Sequence, residues 1–326
     1  MVSTTERRDN LVATGSIHDY IAIARPDHWI KNVFMLPGIA LALILDPSAV
    51  NIDIVPPVLL ALVSACLLAS ANYTINEWLD AEFDRHHPTK KERPSASGRM
   101  RRELVYLQYA LLATAGLALA WTINGLFLTF AAMLLAMGLL YNVPPVRTKD
   151  KQYLDVLSES INNPLRFILG WAAITSIALP PSSILISYWM GGAYLMAMKR
   201  YAEYRMIGDP QRAGLYRRSF RYYTETSLLV SSFFYAITSS FLLGIFLIKY
   251  RIEFLVSFPF IALLFAWYLS IAMRPASRAL HPEKLFHEKR FVCYTVFLCA
   301  LVLALYFIDI PGLHVLVDSH AIRSAR

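Results

Sequence analysis

Apolar residues come in long unbroken runs, at about residues 32–46, 55–75, 104–122, 125–141, 154–178, 183–198, 226–248, 254–273 and 291–311. Most approach the roughly 20 residues that a helix needs to cross hydrocarbon. The pattern predicts an all-α fold of nine membrane helices. The first run is short and contains Pro37, which predicts a kink, a tilt or an extension by the amphipathic stretch before it. Polar residues gather in three long connections, 80–103, 199–224 and 274–290, whereas several of the others are only a few residues long. Long loops on one side point to work on that side, with 80–103 and 199–224 expected to bind substrate. No linker or repeat divides the chain, so residues 1–326 are expected to form one transmembrane domain with a polar tail over 1–20.

Composition agrees: 56% hydrophobic residues, 17% charged residues and a mean hydropathy of +0.45 demand a lipid solvent and exclude a soluble globular protein. Charge placement orients the helices. Of the 31 Lys and Arg, all except Arg166, Lys249, Arg251, Arg323 and Arg326 fall in the N-terminal segment and in the loops after the second, fourth, sixth and eighth runs. By the positive-inside rule the N-terminus is cytoplasmic and the C-terminus outside, in a cytoplasmic (inner) membrane with the active site on its cytoplasmic side. The net charge of +8 suits anionic headgroups or an anionic substrate, and also follows from topology alone. No nucleic-acid partner is expected, and an oligomer stays open. No cleavable signal peptide is apparent, so the polar N-terminus is expected to be retained. Cys66, Cys293 and Cys299 lack metal-ligand spacing and are expected as small buried residues.

Candidate chemistry begins where the second run ends. Asn72, Asn76, Asp80 and Asp84 step by four and drift slowly around one helical face, so their side chains can converge. Hard oxygen donors of this kind suit Mg2+, which keeps waters and completes its shell with substrate phosphates. Arg85, Lys90, Lys91, Arg93, Arg99, Arg101 and Arg102 follow. A solvated helix end beside a positive loop explains the cations but not two Asn inside the apolar border.

The fifth run carries a second stripe, Asp155, Glu159, Asn162 and Arg166, spaced to share a face. Ionisable groups at membrane depth are costly and face a wet cavity or one another; the structural alternative is a Glu159–Arg166 pairing network. Two acidic clusters could hold two Mg2+ ions across a diphosphate. Arg25, Lys31 and Asn32 lie near the first run, with Trp29 as an interfacial anchor, and Arg147, Lys149 and Lys151 precede the second stripe. The sixth run ends in Lys199, Arg200 and Glu203. Positioned cations and metal are what a departing diphosphate or a phosphorylated sugar needs. Adjacent His86 and His87 receive no role, and no nucleophile–base arrangement supports covalent catalysis.

The spacing Asn76-x-x-x-Asp80-x-x-x-Asp84 in the second helix, with Asp155-x-x-x-Glu159 in the fifth of nine, resembles the UbiA superfamily of intramembrane prenyltransferases over nearly the whole chain. That family usually opens its first motif with Asn-Asp, where this chain has Asn76-Glu77. Arg25-Pro-x-x-Trp29-x-Lys31-Asn32, the Asp84–Pro94 stretch, Lys199-Arg-Tyr-Ala-Glu203 and Arg218-Ser-Phe-Arg-Tyr-Tyr-Thr224 look like its phosphoribosyltransferase branch, which acts on decaprenyl phosphate. The resemblance implies transfer of 5-phosphoribose from phosphoribosyl diphosphate (PRPP) to a polyprenyl phosphate, with diphosphate released, toward arabinose-donor lipids for a cell wall. It implies Mg2+ on Asn76, Asp80, Asp84, Asp155 and Glu159. Lys90, Arg93, Arg147, Lys199 and Arg200 would grip the diphosphate and sugar phosphate, and Arg25 and Lys31, with Asn32 beside them, would orient the lipid headgroup. Asn72, Asn162 and Arg166 are further substrate-binding candidates. Prenyl transfer to an aromatic acceptor is the rival reaction, and a polyprenyl-phosphate binding or transport protein without catalysis is the rival class.

Overall fold

The computed structural model describes residues 15–85, 90–274 and 288–314. His86, His87 and most of the polar tail lie outside them. The described chain is helical throughout its regular elements: α1 (Ile17–Ala24), α2 (Leu36–Leu45), α3 (Val55–Asp84), α4 (Arg102–Ile123), α5 (Gly125–Asn142), α6 (Leu154–Ser160), α7 (Asn162–Ala172), α8 (Ser182–Ile207), α9 (Pro210–Tyr216), α10 (Glu225–Tyr250), α11 (Phe258–Ala272), α12 (Lys289–Phe307) and α13 (Pro311–His314), joined by turns and short 3-10 segments.

Local chemistry sets these limits. Pro56 and Pro57 open α3 in its first turn, where a missing N–H costs nothing, and neither Gly nor Pro recurs before Pro88, so the helix runs 30 residues and carries Asn76, Asp80 and Asp84 beyond the apolar stretch. Thr224 and Ser227 cap each other at the start of α10, and α8 stops at Gly208, whose φ of 69° favours glycine. Pro37 falls in the first turn of α2, and the segment before it, Pro26–Met35, is a 3-10 helix that follows α1; the first span is therefore extended at its N-terminal side.

Seven segments among the described residues are long and apolar enough to cross a membrane: Ile17–Leu45, Ile52–Asp84, Arg102–Ile123, Gly125–Asn142, Glu225–Tyr250, Ile252–Ala272 and Lys289–Phe307. The expected span at 154–178 is not one helix. The chain turns at Ile161, because Pro164 in the first turn of α7 has no N–H for the Ser160 carbonyl, and α6 and α7 are separate short helices. The run at 183–198 lies within the 26-residue α8, whose C-terminal portion carries Lys199, Arg200, Glu203 and Arg205. Large apolar side chains such as Trp121, Phe241 and Phe233 stand exposed, as lipid-facing residues do. Cys66 is half-buried, but Cys293 and Cys299 are exposed on α12, against the expectation of burial: both face outward from a helix that presents most of its apolar side chains to its surroundings.

The chain divides into two compact units. The first comprises Met1–Asp150, Leu165–Ile177 and Gly214–Arg218. Within it α3 packs along α4 and α5 and is crossed by α1. Small residues permit the contacts: a Cβ on Gly116 would lie 2.7 Å from Leu68 Cγ, one on Gly38 1.9 Å from the Phe167 carbonyl oxygen, and one on Gly170 2.0 Å from that of Met35. The second unit comprises Lys151–Pro164, Ala178–Ala213 and Ser219–Arg326. Here α8 packs along α10, and α6 and α11 lie against α8. Ser187 and Ser239 tie α8 to α10 reciprocally, each hydroxyl donating to the other's carbonyl oxygen at 2.9 Å. Such bonds matter in lipid, where no water competes.

The Gly38–Gly170 crossing is backbone against backbone and has no flexible side chain to yield. Gly170→Ala is expected to destabilise the detergent-solubilised protein by about 1–3 kcal/mol, seen as a lower thermal midpoint. Gly244→Ala, where a Cβ meets nothing within 4 Å, should not lower it.

Candidate active site

Three sets of wired carboxylates bear on the site, two in the first unit and one in the second. In the first, the end of α3 presents Asn76, Asp80 and Asp84. Asp80 Oδ1 accepts from Lys149 Nζ at 2.5 Å and from Arg147 Nη2 at 2.9 Å. Asn142, in the last turn of α5, is the hub: its side-chain oxygen accepts from Lys149 at 2.7 Å and from Asn76 at 2.5 Å, and its amide donates to the Gly138 carbonyl. Arg147 also donates to the Asn142 carbonyl at 3.1 Å, pairs with Asp150 at 3.2 Å and lies over the Phe83 ring. Burial lowers the Lys149 ammonium to about 8, against the opposing pull of Asp80. One turn further along α3, Asp84 receives Arg93 Nη1 at 2.6 Å, and Lys90 donates to the Tyr216 hydroxyl while sitting 4.5 Å from that ring's centre.

The donor set suits a hard divalent cation. Asn76 Oδ1 and Asp84 Oδ1 accept no hydrogen bond among the described residues, and Asp80 Oδ2 has only the Asn76 amide at 3.3 Å. Three oxygens on one helical face, with cations alongside, fit an ion that binds through one or two carboxylates and leaves positions for phosphate.

A second cluster of the same unit lies around Tyr73. Arg25 donates to Glu77 Oε2 at 3.0 Å, and Arg25 and Lys31 stand 6.0 and 5.5 Å from the Tyr73 ring centre. Glu77 is 3% exposed, and its other carboxylate oxygen is buried without a hydrogen-bond partner. Asn32 is buried between Cys66, to which it donates at 3.1 Å, and Arg166, from which it accepts at 3.0 Å. Trp29 donates to Ser70 at 2.8 Å.

In the second unit, Arg200 on α8 is 1% exposed and bridges three carboxylates: Asp155 at 3.3 Å, Glu159 at 2.6 Å and Glu203 at 3.2 Å. Asp155 is fully buried and also accepts from the Ser219 hydroxyl at 3.1 Å and the Tyr223 hydroxyl at 2.7 Å. Burial first, and then the Asp155 carboxylate, push the Tyr223 phenol far above its ordinary range, which keeps it a donor. Lys199 precedes Arg200 on α8 and is half-buried.

The sequence expectations divide accordingly. Asn76, Asp80 and Arg147 share one network, and the Asp84–Arg93 pair lies one turn further along α3, with Lys90 on Tyr216 in the same unit. Of the stripe Asp155–Arg166, Asp155 and Glu159 pair with Arg200 in the second unit, and Arg166 donates to Asn32 in the first. Asn72 donates to the Leu134 carbonyl at 2.9 Å as a tie between α3 and α5, and Asn162 donates back to the Glu159 carbonyl at 3.0 Å. Asp155 Oδ2 accepts from Arg200 and Ser219 and Oδ1 from Tyr223, so a metal ion there would have to share or replace these donors. Arg200, saturated with carboxylates, fits a framework role better than a grip on phosphate. Sequence reasoning missed Asn142, Ser219 and Tyr223. The last two lie in the Arg218–Thr224 motif, and Asn142 is a lone amide closing an apolar run, a signal like that of Asn72 and Asn76.

Among the described residues the non-glycine positions with left-handed backbone are Arg25, Arg147 and Tyr153, with φ of 48°, 27° and 63°. Each is wired to a carboxylate of these sets: Arg25 to Glu77, Arg147 to Asp80, and Tyr153 by its N–H to the Tyr223 hydroxyl that holds Asp155. Backbone strain confined to such positions marks a site.

The fold and these sets define an all-helical integral membrane protein with metal-suited carboxylates at a helix end. The profile of the UbiA prenyltransferase family matches residues 33–289. The chain belongs to that family, whose members are transferases. It is 32% identical over 225 residues to a decaprenyl-phosphate phosphoribosyltransferase of Mycobacterium tuberculosis, covering 69% of this chain and 70% of that one. It is 32% identical over 209 residues to the Mycolicibacterium smegmatis protein of the same name, and that match spans 64% of this chain and 63% of the relative's length. Among solved structures, a UbiA homolog from Archaeoglobus fulgidus bound to DMAPP and Mg2+ superimposes with a TM-score of 0.68 at 21% identity, covering 89% of this chain and all of that one, and shares the fold.

Removing Arg200 takes the bridging guanidinium away from Asp155 and Glu203, both buried. Arg200→Met is expected to cost about 3–5 kcal/mol, read as loss of folded protein or a collapse of the thermal midpoint. Arg93→Met, whose partner pair lies partly exposed, should lower the midpoint much less.

Proposed function

We propose that this protein transfers 5-phosphoribose from PRPP to a polyprenyl phosphate and releases diphosphate. The observation that carries the choice of sugar donor is the similarity to the mycobacterial phosphoribosyltransferases over about two thirds of the chain. The wiring of the first unit supports an anionic, phosphate-rich substrate: Arg147, Lys149, Arg93 and Lys90 gather around the end of α3.

In this reading Asn76, Asp80 and Asp84 hold Mg2+ through the oxygens that carry few or no hydrogen bonds. The ion, when bound, supplies positive charge to a departing diphosphate. Arg147 and Lys149 bind and orient the diphosphate, and Lys90 and Arg93 bind the sugar phosphate. As the anomeric carbon becomes oxocarbenium-like, these fixed cations favour the charge that develops on the leaving oxygen. Arg25 and Lys31, held at Tyr73, orient the lipid phosphate, which is anionic near neutral pH and attacks without a strong base. Asp155 and Glu203 keep Arg200 in place, and Glu159 is the carboxylate of that set open to further chemistry, its side chain being 29% exposed. The active side is cytoplasmic, in a cytoplasmic membrane, with α6–α7 and α8 completing nine crossings; the placement of nearly all Lys and Arg supports that orientation. Prenyl transfer to an aromatic acceptor uses the same metal chemistry but has no need for the additional sugar-phosphate cations.

The test is transfer of radiolabelled phosphoribose from PRPP to polyprenyl phosphate in detergent, with Mg2+ and with chelator. Labelled lipid formed only with Mg2+ is expected; folded protein that yields none across several lipid lengths, but prenylates an aromatic acceptor, overturns the sugar assignment. Asp80→Asn and Asp84→Asn are each expected to abolish turnover while the protein stays folded and extractable. Activity retained in both removes the proposed metal site.

A further inference from the structure

At the seam of α11 and α12, in the second unit, a cavity of about 380 Å3 is lined by Trp267, Arg274, Glu288, Lys289 and Arg290. Its three cations differ from those described above. Arg25, Arg93, Arg147 and Arg200 each reach a carboxylate, whereas the side chains of Arg274, Lys289 and Arg290, all exposed, make no hydrogen bond or ion pair among the described residues. Positive-inside topology accounts for cations on one side of a membrane. It does not account for three cations that have no carboxylate partner among the described residues, around one cavity whose described lining holds a single carboxylate. Lys289 and Arg290 also stand in the first turn of α12, where the helix dipole adds to their charge instead of offsetting it. An anion in the cavity relieves all three.

The surroundings indicate what carries that anion. The indole of Trp267 forms part of the wall and packs on Phe291 and Tyr294, with ring centres 6.0 and 5.6 Å apart. An aromatic ledge beside cations at the end of membrane helices is the setting of a headgroup boundary. Along the same two helices Leu263, Val296 and Phe297 expose 53%, 63% and 48% of their surface, an apolar face on which acyl chains can lie.

We propose that this cavity binds the phosphate group of an anionic membrane lipid, with Arg274, Lys289 and Arg290 as counter-charges and Trp267 as the ledge at the headgroup boundary. A free phosphate ion shares the headgroup's chemistry but makes no use of the apolar faces. The site owes nothing to the transfer reaction and stands or falls apart from it.

The full chain in detergent, titrated with phosphatidylglycerol or phosphatidylcholine and followed by native mass spectrometry, tests it. Retention of phosphatidylglycerol several-fold above phosphatidylcholine is expected, falling to the phosphatidylcholine level in the Arg274→Gln/Lys289→Gln/Arg290→Gln variant. Equal retention by wild type and variant overturns the site. Displacement by millimolar inorganic phosphate overturns the lipid assignment. Should the triple variant fail to fold, brominated-chain phosphatidylglycerol gives a second readout: it is expected to quench the wild type more than Trp267→Phe, and equal quenching overturns the proposal.

Discussion

A carboxylate can sit at the membrane end of an apolar helix only if a cation arrives with it, and the charged architecture of this protein follows from that requirement. An isolated buried charge costs several kcal/mol, more than most single packing contacts return. Arg200 meets the requirement by bridging Asp155, Glu159 and Glu203 with one guanidinium, whose planar fork can donate in several directions at once. The Ser219 and Tyr223 hydroxyls add two further donors to Asp155. The set therefore fixes more than a pair of side chains: it ties α6 to α8 and to the segment that leads into α10.

The same requirement explains where the backbone is strained. Arg147 must reach Asp80 and the Asn142 carbonyl from a tight turn just beyond α5, and it does so with φ of 27°. Tyr153 holds φ of 63° immediately before α6, which directs its N–H to the Tyr223 hydroxyl. Arg25 terminates α1 in the left-handed region and lays its guanidinium on Glu77. Left-handed backbone in non-glycine residues costs on the order of 1–3 kcal/mol each. A charge-assisted hydrogen bond returns a comparable amount, about 1.5–3 kcal/mol, so strain and pairing are of the same size at all three positions.

Most of the helical framework was legible in the sequence because long apolar runs have few alternatives, and the Asn76–Asp84 face was legible because its period is local to one helix. What could not be read were contacts between elements far apart in the chain. Asn142 looks like any closing amide until α3 brings Asn76 to it, and Tyr223 is one of 18 tyrosines until Asp155 lies beside it. The break at Ile161 was obscured by the apolar composition on both sides, although Pro164 carried the signal. The partner of Arg166, Asn32, lies 134 residues away in the chain and no local spacing announces it.

The Asp80 set and the Arg200 set differ in what they can give up. Around Asp80, Arg147 and Lys149 hold an anion that is 24% exposed at its side chain, so a phosphate arriving there offers these cations a replacement partner and little has to be desolvated afresh. Prepaid desolvation of this kind lowers the cost of binding and fixes the cations before charge develops. Around Arg200 the situation is reversed. Asp155 and Glu203 are buried to 0% and 8% exposure at their side chains, against 29% for Glu159. Exchange of partners there is easiest for Glu159, because moving either of the others disturbs a carboxylate already taken out of solvent. In the proposed reaction the Asp80 set can therefore trade ligands at each turnover, while the Arg200 set keeps α6 and α8 in register.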